Sequence, residues 1–303
     1  LAAGTAKKMT TIPLISVIVT TYNRPDALCE VVRALLQQTD AHFEIVVADD
    51  GSRDDTRIQI SQLQETQRTL ARQADKNSRP VRLVHAWHSD DGFRASAVRN
   101  LGVYSSTGDY LVFLDGDCVP RADFVARHRA LAEPGFMVSG SRVLLSEQLT
   151  STLLNSSTAV KASRRSLWYW LMQRLMGNAN KVLPLMIFPD SRLRHYRKVR
   201  WSRIKSCNLG IWRSDYAAVN GFDETFVGWG HEDADLVLRL ARFGIRRKGG
   251  AFSTEVFHLW HKDNSRTRES ANRLKVEQRI LNQQIQADVG LRDYPREDQR
   301  IRE

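Results

Sequence analysis

The chain has 303 residues, 42% hydrophobic and 26% charged, enough for one large domain or two small ones around a sizeable core. Its formal net charge is +11, from 45 Lys and Arg against 34 Asp and Glu. Twelve of those cations and one acid, Asp190, lie between Lys161 and Lys205, so this stretch carries the whole surplus. A uniformly basic nucleic-acid coat is thereby excluded, and one local basic segment remains to be explained.

The three cysteines (Cys29, Cys118, Cys207) are odd in number and lack CxxC spacing. That excludes a thiolate zinc site and a disulfide framework, and implies a reducing compartment. No apolar run reaches the roughly 18–20 residues that span a bilayer, Val182–Phe188 being the longest and broken by Pro184. Residues 1–8 precede the first methionine, Met9, lack the apolar core of a signal peptide, and read as a cloning remnant outside the fold. The expected location is cytoplasmic, with attachment to a membrane surface left open.

From Ile15 to about Leu145 the chain alternates strand and helix. Ser16–Thr20 is a short β-branched run suited to a strand buried on both faces. Leu28, Val31, Val32, Leu35 and Leu36 recur at helical spacing. Phe43–Ala48, Val81–Ala86 and Tyr110–Leu114 are further strands, with helices over 54–70 and 95–104 between them. Such alternation predicts βαβ units on a parallel sheet, whose ligands sit at the carboxyl ends of the strands. The 150–205 stretch breaks the rhythm and reads as an insertion with partial helix. Order resumes at Cys207–Trp212. Ser214-Asp215 is a helix-capping signal, Asn220-Gly221 a turn, and 233–243 a helix ended by Gly244. Glu255–Trp260 is a late strand, 268–287 a polar helix, and the remainder a charged tail expected to be mobile.

Four clusters of chemistry-bearing residues fall where such a sheet places a ligand. Asp49-Asp50 follows the second strand and Asp115-Gly-Asp117 the fourth. Glu232-Asp233 opens a helix after Gly228-Trp-Gly230, and His258 and His261 close the last strand. Two carboxylates one residue apart at a strand end suit Mg²⁺ or Mn²⁺ that also takes substrate phosphate oxygens, and an added histidine favours Mn²⁺. At period two, His258 and His261 face opposite sides of an ideal strand, so both can be ligands only if the strand ends between them; His258 is the expected one. A carboxylate at a helix N-terminus stays ionised and suits a general base for a hydroxyl. Trp229, between glycines, suits a closing loop whose indole stacks on a sugar. Each feature also has a plain structural explanation, as a turn, a core histidine or helix-dipole matching; their ordered combination is what favours a site.

Together, Ser-Val-Ile-Val-Thr-Thr-Tyr-Asn-Arg-Pro (16–25), Val-Ala-Asp-Asp-Gly-Ser (47–52) and Phe-Leu-Asp-Gly-Asp (113–117) resemble the family 2 nucleotide-sugar glycosyltransferases of GT-A fold. The run from Asn220 to Leu236 resembles the C-terminal catalytic region of β-1,4-galactosyltransferases, bacterial chondroitin polymerases and polypeptide N-acetylgalactosaminyltransferases. The resemblance covers roughly residues 13–145 and 205–262. It implies an α/β, Rossmann-like sheet flanked by helices, organised as a donor half (13–145), the basic insertion (150–205) and an acceptor half (206–267), followed by a C-terminal helix and tail (268–303).

The resemblance also implies roles. Thr20 and Tyr22 line a uridine pocket, Asp50 accepts the uracil N–H with Asp49 beside it, and Arg94 contacts the donor's phosphates or sugar. Asp115 touches ribose, donor sugar or metal, and Asp117 binds Mn²⁺ (or Mg²⁺) with His258. Trp229 shapes the acceptor site, Asp233 is the catalytic base, and Glu232 binds hydroxyls. His231 departs from the glycine usual in the animal enzymes, and Ala234 from an acid. The metal pair of the galactosyltransferases, a Met and a His three residues apart, aligns with either Glu255/His258 or His258/His261. The implied activity is inverting, metal-dependent transfer of a hexose or N-acetylhexosamine, galactose or N-acetylgalactosamine being favoured over the glucose series, from a UDP-sugar to a hydroxyl of a bacterial surface glycan such as lipopolysaccharide or capsule.

The segment 161–205, with Trp168, Tyr169, Trp170, Tyr196 and Trp201 among its cations, supports three readings. Binding to an anionic membrane or anionic acceptor leads, placing the protein peripherally at the inner face of the cytoplasmic membrane. A solvated surface and single-stranded nucleic-acid binding are the others. A non-catalytic relative would be expected to lose a carboxylate cluster, and none is missing.

Overall fold

A computed structural model describes residues 12–73, 80–262, 266–295 and 299–302; the segment 1–8 lies outside the described residues. The elements are β1 (Ile15–Thr21), α1 (Pro25–Leu36), β2 (Phe43–Asp49), α2 (Asp54–Gln73), β3 (Arg82–His88), α3 (Ala95–Tyr104), β4 (Tyr110–Asp115) and β5 (Cys118–Pro120). Then follow α4 (Phe124–Leu131), β6 (Phe136–Ser139), β7 (Arg142–Leu144), α5 (Glu147–Asn155), α6 (Ala159–Ser163), α7 (Leu167–Leu175) and β8 (His195–Tyr196). The chain closes with β9 (Asn208–Trp212), α8 (Arg213–Ala218), α9 (Glu232–Phe243), β10 (Arg246–Gly249), β11 (Val256–His258), α10 (Glu269–Asn282) and β12 (Gln299–Arg302).

The main sheet runs β12-β3-β2-β1-β4-β9-β6-β10-β8. β3, β2, β1 and β4 are parallel, as the alternating pattern predicts. β9 then inserts antiparallel between β4 and β6, and β8 and β12 are antiparallel edges, so the sheet is mixed. Alternation along β1 sends Ile15, Val17 and Val19 to the core under α1, and Ile18 to the core under α3, α8 and α9. Both faces are therefore buried, which is why the strand is apolar at nearly every position. A second, three-stranded sheet, β5-β11-β7, stands beside the end of β4.

Three expectations are corrected. The charged tail is ordered where described: β12 pairs antiparallel with β3 from Gln299 opposite His88 to Arg302 opposite His85. An edge strand has a solvated face, so charged residues are tolerated there and hide the pairing from sequence. The helix expected from a Ser214-Asp215 cap begins two residues earlier, with Trp212 at its cap position. The third concerns the aromatic cluster of the 150–205 stretch, where Leu153, Val160, Ala162, Trp170 and Leu185 join the core beneath α1. Trp170 stacks on Phe257 with ring centroids 4.1 Å apart, which removes it from any base-stacking role.

Candidate active site

The carboxyl ends of β1, β2 and β4 open into a cleft of about 510 Å³. Gly116 sets its floor: the amide donates to the Thr20 carbonyl at 2.7 Å, and a Cβ there would stand 2.7 Å from the same oxygen. Only glycine lets the chain after β4 lie this close to β1. Asp115 and Asp117 are thus presented on either side of a fixed turn. Asp115 accepts from Thr20 Oγ1 at 3.1 Å and from Arg99 Nη2 at 3.4 Å.

Asp117 meets the histidines through the small sheet. β11 pairs His258 with Cys118 of β5, and ends there. The next amide, Leu259 N, donates to the Asp117 carbonyl at 2.8 Å, so the chain turns around Asp117. His258 Nε2 lies 3.6 Å from Asp117 Oδ1, and His261 Nε2 lies 3.2 Å from Oδ2. Ligand atoms of Asp117, His258 and His261 all fall within 4.8 Å of one another. The strand does end between the histidines, and both face the acid. Glu255 is instead buried, accepting from Ser141 Oγ and the Phe252 and Ser253 amides, so it takes no part. Burial, with Arg142 and His261 nearby, holds the His258 imidazole below its ordinary pKa although Asp117 opposes the shift, which leaves a lone pair available at neutral pH. One carboxylate and two imidazoles fit a borderline divalent ion such as Mn²⁺. Asp115 sits apart from this trio, engaged by Arg99.

The first acidic pair has a different use for each member. Asp49 is fully buried, accepting from Ser52 N at 2.8 Å and facing His85 Nε2 at 2.9 Å. It shapes the turn after β2 and does not line the cleft. Asp50 does line it, held by the Arg94 amide at 2.9 Å with His88 Nε2 3.1 Å from its other oxygen. The Arg94 guanidinium is turned to His88 Nδ1 and the Ser89 carbonyl, so it is the Arg94 backbone amide that meets Asp50. Tyr22 lines the rim and donates to Asp90 at 3.0 Å.

Opposite, the chain passes through Gly228, Gly230 and His231, all at positive φ, into α9. These left-handed residues turn the first helical turn toward the cleft, and Trp229 lies beside it under the Arg266 guanidinium at 4.8 Å. Glu232 is 8% exposed; burial, then the neighbouring Asp233, raise its pKa to about 7 against the pull of Arg99. Glu232 Oε2 and Asp233 Oδ1 are buried without a hydrogen-bond partner.

Arg99 is the residue that sequence reasoning missed. It donates to Glu232 Oε1 at 3.2 Å, reaches Asp115, and lies 4.0 Å from Asp233 Oδ1. Burial alone would lower its pKa, but Asp233, Asp115 and Glu232 raise it above the ordinary value. A charged residue on α3, the one charge of that helix, between Val98 and Asn100, was the available signal. Its neighbour Asn100 locks α3 to the 216–224 turn through Tyr216, Phe222 and Glu224.

Residues 16–188 match glycosyl transferase family 2, and 191–262 match the family described as the N-terminal domain of galactosyltransferase. The chain belongs to glycosyl transferase family 2. It is 29% identical over 247 residues to validoxylamine A glucosyltransferase of Streptomyces hygroscopicus subsp. jinggangensis, covering 77% of this chain and 53% of that protein. It is 28% identical over 249 residues to hyaluronan synthase of Pasteurella multocida, covering 76% and 23%. The chain thus spans about half the length of the first relative and about a quarter of the second. A mannosyltransferase from Pyrobaculum calidifontis in complex with GDP-Man and Mn²⁺ superposes with a TM-score of 0.56 at 18% identity, over 90% of this chain and 65% of that one. The fold is the GT-A fold.

Proposed function

We propose that the protein is an inverting glycosyltransferase that moves galactose or N-acetylgalactosamine from a UDP-sugar to a hydroxyl of a bacterial surface glycan, of lipopolysaccharide or capsule type, at the inner face of the cytoplasmic membrane. The observation that carries this reading is the facing of two groups across one cleft: Asp117 with His258 and His261 on one side, Glu232 and Asp233 on the other. Asp50, Thr20 and Tyr22 lie along the end of the parallel strands, where a nucleoside is expected. The relatives' names include sugar-polymer synthases, which supports a glycan acceptor.

Asp117, His258 and His261 would hold Mn²⁺ or Mg²⁺, with Asp115 held apart by Arg99. Such an ion neutralises the diphosphate that leaves. Asp233 accepts the proton of the acceptor hydroxyl as its oxygen forms the new glycosidic bond and the anomeric carbon–phosphate bond breaks; UDP departs with the bonding pair. Attack opposite the leaving group inverts the anomeric centre. Glu232, beside the base, orients the hydroxyl, and Trp229 offers an apolar face to the sugar ring. Arg99 holds both catalytic carboxylates and Asp115 in one frame.

The test is a panel of UDP- and GDP-sugars with Mn²⁺, reading melting temperature for binding and product anomeric configuration by NMR. A UDP-galactose or UDP-N-acetylgalactosamine preference with an inverted product is expected. A GDP-sugar preference or retained configuration would overturn the donor or mechanistic part respectively.

A further inference from the structure

The structure divides the basic segment into charge that is spent internally and a surface that is not. Arg194 is buried, and its guanidinium donates to the carbonyls of Phe188, Pro189, Gly249, Ala251 and Phe252. Asp190, the acid of the stretch, accepts from the buried Lys248 at 2.7 Å. Arg192, Arg197, Lys198, Arg200 and Lys205 are exposed further along, but the outward apolar surface begins on α7. Trp170 and Gln173 face the core, while Trp168, Met172, Leu175 and Met176, spaced i, i+4, i+7 and i+8, form the opposite face. Trp168 is 69% and Leu175 72% exposed. This face is apolar where a solvated helix would be polar.

After α7 the chain is pinned beside the cleft. Ala179 bridges Leu145, and Asn180 N donates to the Leu144 carbonyl at 3.1 Å. Leu144 and Leu145 both line the cleft. The chain then exposes Leu183, Met186, Ile187 and Phe188. Of the twenty-four exposed large apolar or aromatic side chains among the described residues, eleven lie between Leu167 and Tyr196, about a tenth of the chain. Scattered exposed apolar residues are normal; this concentration is not.

We propose that the outward face of α7, with the 183–188 segment, is a docking surface for an anionic lipid bilayer, in whose interface α7 lies flat. Charge complementarity selects this occupant. Arg164, Arg165 and Arg174 are exposed around the apolar face, and no acid occurs from Lys161 to Pro189. Cations flanking an apolar helix face with an interfacial indole are the composition that binds anionic membrane surfaces. The inference rests on the reading of a membrane-presented acceptor and sharpens it: a lipid-anchored acceptor would reach the cleft past Leu144 and Leu145.

The test is flotation with phosphatidylethanolamine vesicles, with and without phosphatidylglycerol, and no donor present. Wild type should float with the anionic vesicles and release as salt rises. W168S/L175S should bind about tenfold or more weakly. R165Q/R174Q should lose on the order of tenfold on anionic vesicles only. Quenching of indole fluorescence by brominated acyl chains, present in wild type and reduced in W168F, gives a readout independent of the serine variants' folding. Absence of wild-type flotation, or flotation unchanged in W168S/L175S, would overturn the proposal. So would a wild-type dimer that W168S/L175S makes monomeric without any vesicle binding. Calorimetric binding of Mn²⁺ and UDP-sugar to the same variants is expected to be unchanged, and its failure in wild type would strike the glycosyltransferase reading and not this one.

Discussion

Asp49-Asp50 and Glu232-Asp233 are both adjacent acids beside one cleft, yet the fold treats them differently. Asp49 uses both oxygens on Ser52 and His85, whereas Asp50 is fixed by the Arg94 amide through one oxygen and keeps the other buried without a hydrogen bond, 3.1 Å from His88 Nε2. Glu232 and Asp233 share one cation, Arg99, and each keeps a buried oxygen with no partner. Unpartnered buried carboxylate oxygens are costly, and they persist where a ligand hydrogen-bonds them. In the proposed reading Asp49 is therefore frame, the open oxygen of Asp50 serves the nucleotide, and Glu232 and Asp233 receive the acceptor hydroxyl.

The largest effect that would break this contrast is on turnover. Asp233→Asn should lower kcat by about a thousandfold, the usual scale of general-base loss, and near-normal turnover would remove the base assignment. Next comes Arg99→Met. Three carboxylates would then share a buried site without their cation, and stability should fall by about 3 kcal/mol in a denaturant titration; an unchanged midpoint would make Arg99 incidental. A smaller effect concerns pH. Because Glu232 titrates near 7 in the folded chain and near 4.5 when unfolded, its stabilisation is fully present below about pH 4.5 and is lost as pH rises through 7. Glu232→Gln should accordingly gain stability relative to wild type as pH rises from 4.5 to 8, and parallel stability–pH curves for the two proteins would contradict the shift.

Much of the donor half was legible in the sequence because its strands are buried on both faces and short connections join them. β1, β2 and β4 are near-continuous apolar runs for that reason. The acceptor half was less so. β9 joins β4 and β6 antiparallel across a long connection, and nothing local in Asn208–Trp212 encodes that direction. Period two placed His261 away from His258, but the strand stops at His258 because Leu259 N turns to the Asp117 carbonyl, a contact 142 positions apart in sequence that no local pattern records. Arg99 lay hidden for the same reason, as its three acids come from β4 and α9. The basic stretch showed its charge but not its partition: Arg194 and Trp170 turn inward, Trp168 and Leu175 outward.

The measurement that bears most directly on a cleft with a metal-and-donor side and a base side is calorimetric UDP-sugar binding in Mn²⁺, on wild type, Asp117→Ala and Asp233→Asn. Asp233→Asn should bind the donor as wild type does, whereas Asp117→Ala should lose binding, as should wild type in EDTA. Undiminished binding by Asp117→Ala, or binding indifferent to EDTA, would contradict the account.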